Sequence, residues 1–513
     1  MTIKRAILTL LSILAIAQVS FSLKDSLAQP QIQSRLELYQ TNLVLHVAEL
    51  TSLPSDDFQF AQAVSSLVGE NPYAAASQKY LQVRQESVTS RNNFSSQLEQ
   101  LDNSEAEITD TVNAAQKQQL QQQIFELEKF INEVDLKQGI LTAVQSKPQE
   151  ALSLWSEEIK RINNPQDPYV QTAKVLMQLW QGESQELNFS LETINRNLDS
   201  WFRYQTLAKL NQLLLRQENL AVLQQQELQI ARNSLIKLAV ISGIPLIGGI
   251  GGAILLILLI VQRLIKPETA IINLQRSNSW STPWDWEIIW QVLIVGFFFI
   301  GQFVLPLLVG ALGINPANSS LRVKALYVLG SYLLMSAGGL TVLYLSLKSF
   351  RPLPTNWFKF KLNSNWIVWG FGGYLVAIPL VLLVSLINQQ IWQGQGGSNP
   401  LLLLALQAQD KVALTIFFIT ASIAAPIFEE IMFRGFLLPS LTKYVSVNGA
   451  IIISGLIFAV AHLSLSEVLP LATLGVVLGF VYARSRNLLA PMLLHGLWNS
   501  GTLLSLFILG SGA

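Results

Sequence analysis

The sequence predicts an all-α protein: a polytopic membrane bundle of about eight spans, preceded by a signal or anchor segment and an exported α-helical domain. Three observations lead there. Half of the 513 residues are apolar and only 13% are charged, well outside the composition of an ordinary soluble chain. From about residue 238 onward the apolar residues gather into runs separated by short polar patches, and such runs can cross ~30 Å of hydrocarbon at ~1.5 Å per helical residue. Residues 30–233, by contrast, are polar, Gln-rich and helical in pattern, so the two regions are built for different solvents.

The chain begins with Lys4 and Arg5 followed by an apolar run from Ala6 to about Phe21. That is the layout of a signal peptide or signal anchor over residues 1–29, with Ser26-Leu27-Ala28 as small residues for cleavage, and it implies export of residues 30–233. The spans are expected at 238–261, 288–312, 325–347, 366–387, 412–438, 449–463, 467–483 and 488–509. They divide into accessory helices over 238–365 and a core over 366–513. With residues 30–233 outside, the inner loops hold Arg263, Lys266, Arg276, Lys348, Arg351, Lys359, Lys361, Lys443, Arg484 and Arg486, against Arg322, Lys324 and Lys411 outside. This excess of inner positive charge agrees with the orientation given by the signal segment. A bacterial plasma membrane or a thylakoid membrane fits, with the N-terminal domain on the outer or lumenal side.

Within 30–233, Gln149-Glu150-Ala151-Leu152, Gln185-Glu186-Leu187-Asn188 and Asn219-Leu220-Ala221-Val222 echo one another at offsets of 36 and 34 residues. The spacing resembles tetratricopeptide helical hairpins, whose stacking offers a surface for a protein partner. Generic bundling with Gln-rich solvated faces accounts for the same pattern. A net charge of +1 gives no reason to expect nucleic acid. The absence of cysteine excludes disulfides, thiolate metal sites and cysteine catalysis.

Ionisable groups inside the spans are scarce, and each costs several kcal/mol unless paired or hydrated. Phe428-Glu429-Glu430-Ile431-Met432-Phe433-Arg434 is the densest exception. The i to i+4 spacing puts Glu430 and Arg434 on one helical face, where a bidentate pair can neutralise both, and turns Glu429 about 100° away toward another neighbour. Two of the three histidines in the chain also fall in these runs, His462 after Phe458 and His495 four residues before Asn499. A turn near 443–448 places Glu429 and His462 at similar depth, and His495 also lies well inside. A carboxylate beside neutral imidazoles can take a proton from water while imidazole or amide donors stabilise an oxyanion. Glu429, His462 and His495 could alternatively hold a divalent metal such as zinc. Both routes hydrolyse an amide.

The set Glu429-Glu430-x-x-x-Arg434, Phe458-x-x-x-His462 and His495-x-x-x-Asn499 resembles the three signature motifs of the CAAX-protease and bacteriocin-processing (CPBP) intramembrane peptidases, the family of the type II CAAX prenyl endopeptidases. The resemblance covers roughly residues 366–510, in the right order on consecutive apolar segments. It implies that Glu429 activates water, that His462 assists, that His495 and Asn499 line the oxyanion position, and that Glu430 and Arg434 form a structural pair. It further implies a membrane-associated protein or peptide as substrate, by a glutamate-type or a metal-dependent route. A proton-coupled transporter and a non-proteolytic scaffold are the rivals from other classes. His-Glu-x-x-His and Gly-x-Gly-Asp are absent from the sequence, and no rhomboid-like Gly-x-Ser stands before a helix of the spans. Trp284, Trp286, Trp366 and Trp369 are expected as interfacial anchors.

Overall fold

The computed structural model describes residues 2–27, 29, 31–52, 58–103, 110–182, 187–274, 279–313, 316, 319–399, 402, 404 and 410–510. Ala28, Gln185, Glu186 and Arg276 lie outside the described residues. Most described residues are helical, with no β-strand among them. The chain divides into two compact units, one of residues 28–243 and one joining 1–27 to 244–510.

The first unit contains α2 (Ile32–Ala48), α3 (Phe58–Val68), α4 (Pro72–Asn103), α5 (Asp110–Val144), α6 (Pro148–Ile162), α7 (Pro168–Gln181), α8 (Leu187–Asn197), α9 (Ser200–Leu213) and the start of α10 (Gln217–Ile265). Local chemistry sets these boundaries. α6 opens with Pro148 and closes on left-handed Asn163. In α7, Asp167 accepts from the Tyr169 amide, Pro168 follows, and Gly182 closes the helix at φ 82°. Both follow the preference for proline at the start and a left-handed residue at the end, and α7 adds a side-chain cap. The hairpins α6–α7 and α8–α9 pack in succession around Trp155, Leu176, Trp201 and Phe202, all fully buried. Trp155 donates to Leu136 O at 3.3 Å. A Cβ at Gly139 would sit 2.2 Å from that indole nitrogen, so α5 carries no side chain there.

The second unit holds α1 (Ile3–Ser26), the apolar end of α10, α11 (Trp286–Ala311), α12 (Leu321–Leu347), α13 (Trp366–Trp392), α14 (Lys411–Leu441), α15 (Val447–Val460), α16 (Leu465–Ser485) and α17 (Leu489–Gly510). Among the described residues, eight helices are long and apolar enough to cross a membrane, α1 included. The expected sixth span is a correction. Its helix, α15, has only 14 residues, about 21 Å at 1.5 Å per residue, too short for a bilayer core. The chain leaves the helix at Ala461 instead of continuing to 463.

The polar backbone exposed by that early ending is paired within the unit, as low-dielectric surroundings demand. Ser464 Oγ donates to Gly396 O at 3.3 Å, the Ser466 amide to the same oxygen at 3.2 Å, and the Leu465 amide to Ser26 Oγ of α1 at 3.2 Å. α1 is further fastened by Lys4 and Arg5 to Glu287, and by the Trp290 indole to Ser12. α15 and α16 cross at Gly455 and Gly475, where a Cβ on the latter would meet Gly455 Cα at 2.8 Å.

Trp284 is not an interfacial anchor. It is 1% exposed, donates to Ser440 Oγ at 2.9 Å, and packs on Trp357 and Phe436, because the segment before α11 folds back over the end of α14. Trp286 remains half exposed.

Candidate active site

α14 carries the carboxylates, and its backbone departs from regular α geometry on both sides of them. Thr420–Ala424 and Ile431–Leu437 are π-turns flanking Ala425–Glu430. Such wide turns cluster at functional positions because they re-aim side chains without ending the helix. Phe428, Phe433 and Phe436 are buried around them, so the segment is dry on most sides.

Glu430 and Arg434 are both fully buried, and their ion pair closes at 2.9 Å. It is monodentate rather than bidentate. Only Nη1 reaches Glu430, while Nη2 donates to Gly475 O at 3.0 Å, a carbonyl at the glycine crossing of α15 and α16. The same Glu430 oxygen accepts from His495 Nδ1 at 2.9 Å. Glu430 is thus also the orienting partner of an imidazole. A carboxylate accepting Nδ1–H leaves the lone pair on Nε2.

His495 Nε2 faces Glu429 Oε2 at 3.9 Å. The other oxygen of Glu429 accepts from Tyr332 Oη of α12 at 2.9 Å. Oε2 is buried and has no protein hydrogen-bond partner. Glu429 is therefore fixed from one side and open on the side that looks at the imidazole. Two acceptors sharing one water through 2.8 Å bonds stand roughly 4.5 Å apart, so the observed gap is close to that of a single bridging molecule.

The expected meeting of Glu429 with both histidines is half realised. His462 lies in the turn beyond α15, and its Nδ1 bonds back to Phe458 O at 2.8 Å rather than to Glu429. What links the two imidazoles is the Phe458 ring, 4.9 Å from His462 and 5.6 Å from His495, both edge-on, with the Arg434 guanidinium 4.5 Å over it. Periodicity could not anticipate this, since it assumed that the helix continued to 463. The set Glu429, His462 and His495 is accordingly not gathered as metal ligands; among the described residues no group of three His, Asp or Glu is placed to hold an ion. Asn499 donates through Nδ2 to Ala421 O at 2.7 Å, bracing the first π-turn and keeping one amide hydrogen for another acceptor.

Two polar residues of the site went unread in the sequence. Tyr332 was one of three tyrosines in its span, with Tyr327 and Tyr344, and only packing reveals what its hydroxyl meets. Glu467, two residues into α16, accepts from the Asn399 amide at 2.9 Å; an acid so close to His462 in sequence was the available signal.

Comparison with known proteins finds peptidases among those this chain resembles. The type II CAAX prenyl endopeptidase Rce1-like family matches residues 411–501, a segment that contains Glu429, Glu430, Arg434, Phe458, His462, His495 and Asn499. The membrane-embedded CAAX protease MroQ of Staphylococcus aureus (strain USA300) is 26% identical over 216 residues, 41% of this chain and 85% of that protein. A Bacillus subtilis (strain 168) protein named "Putative membrane peptidase YdiL" is 28% identical over 134 residues, 26% of this chain and 54% of its own length. No solved structure matches at a significant level. The chain is thus an integral membrane protein with peptidase relatives, and its residues 411–501 are similar to the Rce1-like type II CAAX prenyl endopeptidases.

Proposed function

We propose that the chain is an intramembrane endopeptidase in which Glu429 is the base that activates water. The observation that carries this reading is the open Oε2 of Glu429 facing the lone-pair nitrogen of His495. A water held between them gives one hydrogen to each, and its oxygen lone pair is left for the peptide carbonyl. As the oxygen adds, its proton passes to Glu429 and then to the departing amine nitrogen as the C–N bond breaks. Tyr332 keeps the carboxylate aimed, and Glu430 with Arg434 keeps His495 aimed. The second amide hydrogen of Asn499 is the donor for the oxyanion.

The substrate is a membrane-associated protein or peptide, since the site lies on helices long and apolar enough to cross a membrane. Residues 30–233 stand on the outer or lumenal side and present their stacked hairpins to a protein partner. Purified protein in detergent, offered a panel of membrane peptides, tests the reading. Glu429→Gln should lower turnover about 10²–10⁴-fold, the range for a positioned base, with an unchanged melting temperature, and chelator should leave wild-type turnover intact. Equal turnover by wild type and Glu429→Gln refutes the assignment.

A further inference from the structure

The third histidine of the chain lies in the unit 28–243, and its surroundings are those of a nucleophile relay. His46 of α2 is 1% exposed. Its Nδ1 meets Glu227 Oε1 of α10 at 2.5 Å and its Nε2 meets Ser200 Oγ of α9 at 2.8 Å. Glu227, a carboxylate, fixes the proton on Nδ1, so Nε2 is the acceptor for the Ser200 hydroxyl. An acid, an imidazole and a hydroxyl in that order form the arrangement by which serine is activated, whatever the fold.

Packing alone does not require this order, and the environment of Ser200 adds to it. His46, Ser200 and Glu227 line one cavity of about 220 Å³, whose lining also includes the exposed Asn195, Arg203 and Gln226. The hydroxyl therefore borders space open to solvent. Ser200 adopts φ +52°, a left-handed conformation that a plain turn would give to glycine or asparagine. It is the first residue of a 14-residue helix whose N-cap, Asp199, makes no side-chain cap bond; Asp199 instead pairs with Lys137 at 2.8 Å. The first-turn amides of Trp201 and Phe202 have no acceptor within the helix and follow Ser200 directly in the chain, so they are the donors available to an oxyanion formed there.

We propose that Ser200, His46 and Glu227 constitute a second hydrolytic site, a serine esterase for short-chain acyl esters, separate in residues and chemistry from the glutamate site. Ser200 Oγ bonds to the acyl carbon as its proton passes to His46 Nε2, and the departing alkoxide takes that proton as the ester C–O bond breaks. Water then adds to the acyl carbon, giving a proton to Nε2, and Ser200 Oγ leaves with the proton returned. One ester and one water yield one acid and one alcohol. The cavity volume limits the acyl group to a few carbons, and Arg203 at its mouth favours an acyl chain ending in an anion.

The test uses the full-length protein in detergent and a fluorophosphonate probe, read by mass spectrometry of the Ser200 peptide, alongside hydrolysis of 4-nitrophenyl acetate. Wild type should be phosphonylated at Ser200 when folded and not after denaturation in urea, and Ser200→Ala should lose both labelling and ester turnover. His46→Gln should slow labelling about 100-fold, as removal of a general base does, and Glu227→Gln at least about tenfold. Because these variants remove buried partners, Ser200→Cys provides a measurement with His46 in place: its thiol should alkylate with iodoacetamide at least about tenfold faster than the same thiol in the denatured chain, as expected beside an imidazole. An unlabelled Ser200 in folded wild type, or labelling that His46→Gln leaves unchanged, overturns the proposal and makes the three residues a structural relay only.

Discussion

His495 in the membrane bundle and His46 in the helical unit are held alike, each with Nδ1 against a buried carboxylate, at 2.9 and 2.5 Å. They differ in what Nε2 faces. In the bundle it is a second carboxylate at 3.9 Å, with an open oxygen; in the helical unit it is a serine hydroxyl in direct contact. The difference teaches that the orienting pair is generic; on the two proposed readings, the group across the ring decides whether water or the protein supplies the nucleophile. The surroundings differ as well. The bundle offsets two acids with Arg434 and closes Phe428, Phe433 and Phe458 around them, while the helical unit uses one acid and a cavity reaching exposed residues.

The sharpest way to break this comparison is to remove Glu430. Glu430→Ala strands a fully buried Arg434, and loss of one partner of a buried pair costs about 3–5 kcal/mol. Thermal unfolding in detergent should show it, and an unchanged melting temperature would mean that Arg434 does not depend on Glu430. Removing the acid of the second region should do less, because part of the relay borders solvent.

A buried acid in the helical unit shows the opposite behaviour. Glu158 of α6 has no protein partner at either oxygen, and burial pushes its carboxyl up to about 9. The folded unit therefore keeps a proton that the unfolded chain loses near 4.5. Stability from this group is full below the lower value and declines as pH rises toward 9, with a slope of at most about 1.4 kcal/mol per pH unit. Glu158→Gln should flatten that decline in melting temperature between pH 5 and 8; an identical pH profile would show that the acid is ionised in the fold.

The smallest expected change is at Tyr332. Tyr332→Phe removes one hydrogen bond to Glu429 and should lower peptidase turnover about tenfold, equivalent to about 1.4 kcal/mol, with little change in stability. A loss as large as that of Glu429→Gln would make Tyr332 a participant in the chemistry instead of a support.

How much could be read without coordinates depended on locality. Glu429, Glu430, Arg434 and His495 stood out because charge is rare in apolar runs, and the i to i+4 rule placed Glu430 with Arg434 even across a π-turn. The seven long spans after residue 217 were legible from run length alone. His462 was placed too deep in a helix, because no local signal marked the end of α15 at Val460. Trp284 looked like the other tryptophans near span ends, and only the fold-back over Ser440 buried it. The His46 relay was illegible in principle, since its members are separated by 154 and 181 residues.

The shortness of α15 carries one further consequence. Hydrocarbon about 30 Å thick exceeds this helix by roughly 9 Å, and lipid facing such a mismatch thins or tilts to meet it. The turn bearing His462, with Ser464 and Ser466 tied to Gly396 and Gly397, is the polar stretch that this short helix ends on. On the proposed reading, water that approaches Glu429 from that face crosses less oil than a full bilayer leaflet pair would impose.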